Sequence, residues 1–179
     1  MKIEVIGGGP AGLYFSLLMK KADPSHQIKI YEQNKPDDTF GFGVVFSAET
    51  LGHFRDYDSD SYDRIRESFA YWDDIVTYFK GSTVSVGGNG FCGMSRKDLL
   101  LLLQQCCRES GIEMEFQRDI KSLDEVAPDA DIILGANGIN SWIRDEYADH
   151  FKASFDWRPN KFVWLGSTKP LPAFTFDFR

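Results

Sequence analysis

Apolar positions along the chain change period at readable places. Ile3, Val5 and Ile6 form a short apolar run that meets Gly7-Gly8-Gly9-Pro10-Ala11-Gly12. A helical pattern follows at once, with Leu13, Leu17 and Leu18 on one face. The spacing predicts a strand, a tight glycine turn and a helix from about Pro10 to Ala22. That helix stops at Asp23-Pro24, where proline blocks continuation. A second strand over 27–31 delivers Glu32 at its end, and this βαβ-like opening implies a parallel sheet.

Further along, Asp37 and Asp38 make a turn, and Gly41-Phe42-Gly43 is a backbone-exposing loop before an apolar segment. Those glycines read equally as a loop passing over a flat ligand and as ordinary turn residues. Over 61–79, Tyr62, Ile65, Phe69, Trp72, Val76 and Phe79 recur at three- and four-residue steps, which predicts an amphipathic helix with an aromatic packing face. Residues 82–86 alternate as a strand and Gly87-Gly88-Asn89-Gly90 reads as a turn. A helix follows, with Ser95 as N-cap, Asp98 at N3 and Gly111 as its stop. Strands are predicted at 112–116 and 131–134, the latter running into Gly135-Ala136-Asn137-Gly138, with Ser141 and Arg144 on a short helix. From Lys161 the pattern is β-rich: FVWLGS and FTFDF, separated by Lys169-Pro170-Leu171-Pro172, suggest antiparallel strands. The chain stops at Arg179 in mid-strand, which reads as a piece of a longer protein.

The opening stretch carries the chemistry. Gly7 permits the sharp turn, Gly9 lets backbone come close to a phosphate, and Gly12 lets the helix lie against the strand. Pro10 suits the first helical turn, where its missing N–H costs nothing, and Ala11 follows it. The free amides and dipole of the helix start then face an anion. Glu32, twenty positions after Gly12, stands where an acid accepts hydrogen bonds from ribose hydroxyls and repels a 2′-phosphate. A bound dinucleotide is the expectation; the competing view, a structural turn beside a solvated glutamate, fits position and spacing less well. Arg96 opens a helix whose dipole disfavours a cation, so either an anionic ligand compensates or the guanidinium is solvated.

Composition narrows the partners. The 179 residues suffice for one domain with a core and the beginning of another. A formal charge of −7 without a basic stripe argues against nucleic acid. No apolar run is long enough to span a bilayer, and the N-terminus enters a strand directly, so neither a membrane anchor nor a signal peptide is expected. Cys92, Cys106 and Cys107 form no disulfide framework and no metal spacing, which fits reduced thiols in a cytoplasmic protein. His26, His53 and His150 are scattered, and no metal site is expected.

Three marks together resemble the N-terminal half of single-component flavin aromatic hydroxylases of the p-hydroxybenzoate hydroxylase-like family. They are GGGPAGL with Glu32, the helix start with Arg96 and Leu99, and DIILGANGINSWIR at 131–144. Within that family, FGFGVVFS and the general run of the chain most resemble hydroxylases of anthraniloyl-CoA and salicylyl-CoA, with a tryptophan-derivative hydroxylase of violacein synthesis a further relative. The resemblance implies an α/β, Rossmann-like FAD-binding domain over 1–155 and the first antiparallel strands of a substrate domain over 156–179. By the same resemblance Gly7, Gly9, Pro10, Ala11 and Gly12 hold the FAD pyrophosphate and Glu32 the adenosine ribose. Arg96 reaches the ribose–phosphate region and Ile120 presents backbone to adenine. Gly41, Gly43 and Val44 lie near the flavin, and Asn137 and Gly138 stand in the family's second glycine motif, where Asp is usual in place of Asn137. The implied activity is reduction of FAD by NADH or NADPH, oxygen addition at flavin C4a, and hydroxylation of a small aromatic substrate such as a CoA thioester. No catalytic side chain is assigned in this stretch, and the family's third motif, a Gly-Asp sequence, is missing, so this stretch alone is not expected to turn over. A flavin-dependent reductase or halogenase on the same scaffold, and a non-catalytic dinucleotide sensor, are the alternatives.

Overall fold

The structure is a computed structural model that describes residues 1–169 and 172–178, with Asn89 described by its backbone alone. The chain divides into two compact units, Met1–Asp38 with Leu100–Phe162, and Thr39–Leu99 with Val163–Arg179.

The first unit is an α/β layer. β1 (Lys2–Ile6), β2 (Gln27–Glu32), β6 (Glu113–Phe116) and β7 (Ile132–Gly135) form a parallel sheet in the order β6-β2-β1-β7. Ile3, Glu4, Val5 and Ile6 are all buried in succession, as expected of a parallel strand covered on both faces. α1 (Pro10–Ala22) packs on one face through the fully buried Leu13 and Leu17. α4 (Arg96–Glu109), whose Leu103, Gln104 and Cys107 are buried, lies beside it, the Cys107 thiol pointing at the Leu13 carbonyl. On the other face Ile6 and Tyr31 meet Ile120, Val126 and Ile143. The predicted glycine turn, first helix and four strands of this sheet all form at or within a residue of their expected places.

The second unit is built on a sheet whose strands lie in the order β3 (Gly43–Ser47), β5 (Ser82–Ser95), β4 (Ala70–Phe79), β8 (Phe174–Phe178). β3, β5 and β4 are antiparallel neighbours, and α2 (Ala48–Tyr57) and α3 (Ser59–Arg66) join β3 to β4. Three expectations fail here. The helix expected over 61–79 is α3 followed by β4. The run Ile75-Val76-Thr77-Tyr78-Phe79 is β-branched and aromatic and finds a partner strand in β5, so tertiary pairing overrides the local period. The turn expected at 87–90 lies within β5. Register passes from Trp72 opposite Phe91 to Asp74 opposite Gly87, so two steps along β4 meet four along β5. Gly88 (φ +80°) absorbs part of that irregularity in a left-handed conformation, while the hairpin reverses at Lys80 and Gly81 (φ +47° and +83°).

The third failure is at the end of the chain. FVWLGS forms no strand, and FTFDF becomes β8 (Phe174–Phe178), parallel to β4 rather than antiparallel. The strand before β8 in the chain, β7, belongs to the other sheet, so no hairpin dictates an antiparallel partner. Of the break at 169–172, Pro170 and Leu171 lie outside the described residues, as does Arg179. Among the described residues no helix is long and apolar enough to cross a membrane.

Candidate functional site

The residues expected to bind a dinucleotide fall into two groups. Gly7, Gly9, Pro10, Ala11, Gly12, Glu32, Ile120, Asn137 and Gly138 belong to the first unit; Gly41, Gly43, Val44 and Arg96 belong to the second.

In the first unit the glycines converge at the carboxyl ends of β1, β2 and β7, the edge where open parallel sheets bind ligands. Gly7 (φ +116°) donates to the Tyr31 carbonyl at 2.8 Å, and a Cβ there would run into the Ala136 carbonyl. A Cβ on Gly12 would overlap the Gly7 carbonyl oxygen and press on Val5 at 3.2 Å and Ala136 at 3.3 Å. These two glycines hold the strand–turn–helix together. Gly9 is different: it is the N-cap of α1 in an extended conformation, and a Cβ there meets nothing within 4 Å.

The helix start is electrostatically open. Gly9 provides no side-chain cap, Pro10 occupies the first turn without an N–H, and no acidic residue lies in that turn. Partial positive charge is therefore left for an anion.

Glu32 is half-buried at the end of β2. Its Oε2 accepts from Gly8 N at 2.8 Å, and its Oε1 accepts from Asn34 N at 2.8 Å and Asn34 Nδ2 at 2.7 Å. Gly8 and Asn34 were not among the expected site residues. A Cβ on Gly8 would come within 2.9 Å of Glu32 Cβ, so the carboxylate approaches the turn only because this residue too is glycine. The signal was the unbroken run of three glycines, one more than the spacing of the dinucleotide motif demands.

Asn137, beside Gly7 at the end of β7, has a buried Oδ1 with no hydrogen-bond partner among the described residues. An orphaned acceptor at this edge, an uncapped helix start and an acid at the neighbouring strand end form a donor and acceptor set matched to a nucleotide's phosphate and sugar. Gly138 follows in a left-handed conformation (φ +82°). Arg144 ties this loop down by donating to the Ile139 carbonyl at 2.7 Å while lying over the Phe155 ring. Ile120 is buried in the core, and its carbonyl accepts from Trp142 Nε1 at 2.8 Å.

In the second unit Gly43 and Val44 pair with Ser95 and Met94 across β3 and β5. Arg96 N donates to the Phe42 carbonyl at 3.1 Å, and Gly41 (φ +81°) lies against the Arg96 side chain, 3.5 Å from its Cδ if a Cβ were added. Ser95 Oγ accepts from Asp98 N at 3.3 Å, the cap expected from the sequence. Half-buried Arg96 makes no salt bridge among the described residues. The three cysteines are free and buried, and burial pushes the Cys107 thiol up to about 12. No group of acidic, histidine and cysteine side chains among the described residues could hold a metal ion.

Comparison with known proteins bears on this geometry. No family model matches the chain. It is 38% identical over 176 residues to salicyloyl-CoA 5-hydroxylase of a Streptomyces species, covering 98% of this chain and 34% of that protein. It is 31% identical over 182 residues to protodeoxyviolaceinate monooxygenase of Chromobacterium violaceum, covering 100% of this chain and 48% of that protein. A 3-hydroxy-4-methyl-anthranilyl-[aryl-carrier protein] 5-monooxygenase of Streptosporangium sibiricum is 29% identical over 176 residues, 98% of this chain and 49% of the relative. The chain thus spans between a third and a half of the length of these curated relatives. Among solved structures, 2-methyl-3-hydroxypyridine-5-carboxylic acid oxygenase superposes with a TM-score of 0.69 at 23% identity, over 80% of this chain and 41% of that one. The p-nitrophenol 4-monooxygenase of Pseudomonas putida superposes at 0.65 and 15% identity, over 79% and 42%. These likenesses are of fold.

Proposed function

We propose that this chain, a homologue of flavin-type aromatic monooxygenases, is the FAD-holding portion of such an enzyme. The observation that carries the reading is the pairing of an uncapped, glycine-lined start of α1 with Glu32 at the next strand end. α1 and Gly9 bind the pyrophosphate: backbone comes close because Gly9 carries no side chain, and the helix dipole favours the negative charge. Glu32 accepts a hydroxyl of the adenosine ribose. Its charge opposes a 2′-phosphate, so NADPH is a poor occupant of this site. Asn137 supplies an acceptor without charge, and Ile120 N–H meets adenine.

When bound, FAD supplies electron transfer from NADH or NADPH to oxygen and hydroxylation of an aromatic ring. The residues of this chain bind and orient it. Activity on an aromatic acyl thioester is proposed for the protein at its relatives' length, on the strength of the salicyloyl-CoA enzyme.

The test is titration of the purified chain with FAD and, separately, NAD, followed by flavin fluorescence quenching and calorimetry. FAD binding tighter than NAD is the expected result. Preference for NAD would overturn the reading in favour of a dinucleotide sensor or dehydrogenase.

A further inference from the structure

Glu32 is held more firmly than a ribose acceptor at a strand end needs to be. A carboxylate offers about four acceptor positions. Both on Oε1 are taken by Asn34, through its backbone N–H at 2.8 Å and its side-chain Nδ2 at 2.7 Å. One on Oε2 is taken by Gly8 N at 2.8 Å. The carboxylate is therefore gripped at both oxygens, from the glycine turn on one side and from its own strand's exit on the other, and among the described residues a single acceptor position on Oε2 remains.

Asn34 is itself buttressed. Its carbonyl accepts from Gln117 N at 3.1 Å, and the Glu32 carbonyl accepts from Arg118 N at 2.9 Å. The β2–β6 ladder thus continues past the last paired residues, Glu32 and Phe116. Gln117 adopts a left-handed conformation (φ +58°), uncommon for a residue with a side chain, which turns the chain at the point where it braces Asn34. Arg118 is tied in turn to Glu125 at 3.0 Å.

We propose that Asn34 is a positioning residue for the cofactor's adenosine ribose. It saturates Oε1 and presents Oε2 as the one oxygen that meets a ribose hydroxyl, so the sugar is recognised through a single preset hydrogen bond to Glu32. The proposal rests on the FAD reading above and adds a residue that the dinucleotide motif does not include. Its physical basis is preorganisation. A glutamate left free at a strand end loses rotamer freedom when it captures the ribose, whereas the Asn34 clamp has ordered it beforehand. The charge-assisted bond from Nδ2 is the part of the clamp a substitution can remove, because the backbone N–H stays whatever the side chain.

A double-mutant cycle on FAD affinity tests this, read by flavin fluorescence quenching on the whole chain, with the unliganded melting temperature of each variant recorded. Asn34→Ala is expected to weaken FAD binding about three- to tenfold in the parental background and not at all in Glu32→Ala. Asn34→Asp has the same shape but no donor, and it sets a like charge against Glu32, so it is expected to bind FAD more weakly than Asn34→Ala. A side chain that only braced the loop would give equal losses in both backgrounds and a better-tolerated Asp. Parental affinity in Asn34→Ala, or equal losses in both backgrounds, would overturn the positioning role while leaving the cofactor placement intact. Parental affinity in Glu32→Ala would overturn the cofactor placement itself.

Discussion

The Gly8 amide donates to Glu32 Oε2 at 2.8 Å, joining the glycine turn after β1 to the end of β2 across 24 residues of chain. The bond exists because Gly8 has no side chain: a Cβ there would lie 2.9 Å from Glu32 Cβ. Turn and acid thus form one structural unit before any ligand arrives.

Glu32→Ala removes both the ribose acceptor and the partner of the Gly8 and Asn34 donors. A lost charged hydrogen bond of this kind costs about 1–3 kcal/mol, so FAD affinity is expected to fall roughly five- to 150-fold. Fluorescence titration of the variant measures it, and unchanged affinity would remove Glu32 from the cofactor site.

Gly9 and Gly12 separate ligand approach from packing. Gly12→Ala forces a Cβ onto the Gly7 carbonyl and against Val5 and Ala136, and is expected to destabilise the fold by about 1–3 kcal/mol or more, as overpacking does. Gly9→Val meets no protein atom through its Cβ and sits on extended backbone that valine tolerates. Its melting temperature without ligand is expected to stay near the parental value while FAD binding falls. Thermal melts with and without FAD distinguish the two.

Arg96 stands at the start of α4 with no carboxylate partner among the described residues. Arg96→Ala is expected to leave the melting temperature nearly unchanged, or to raise it slightly by removing a cation from a helix N-terminus. Thermal melts of the parent and the variant check this. A marked fall in melting temperature would overturn it.

Alkaline stability follows from two buried groups. Burial, with a smaller contribution from Cys106, raises the Cys107 thiol from 9.0 to about 12. Burial and then a hydrogen bond with Glu4 raise the Tyr31 hydroxyl from 10.0 to about 12. Both are neutral in the fold at pH values where the unfolded chain ionises them, so stability declines as pH rises from about 9 towards 12. Cys107→Ala is expected to lower stability at pH 7 through the small cavity it leaves, and to flatten the decline above pH 9. Urea melts across that range check the slope.

Much of the first unit was legible because its signals are local. Alternating and helical apolar periods, Pro10 after a glycine run, and an acid at a strand end each depend on neighbours a few residues away. The family resemblance was legible for the same reason, since its motifs are short. Asn34 left no such mark, because its donation to Glu32 depends on how the chain leaves β2 and on Gln117 N–H arriving from a strand more than 80 residues later.

What the amino-acid order determined by itself was the parallel sheet, the glycine turn and the acid beside it, all built from contacts that periodicity and turn chemistry encode. Tertiary structure decided the second sheet. There the run 70–79 chose β5 over a helix, the glycines at 87–90 became a bulge, and β8 paired parallel to β4. A strand's conformation depends on a partner distant in sequence, and short apolar runs satisfy helical and extended patterns alike until that partner is in place.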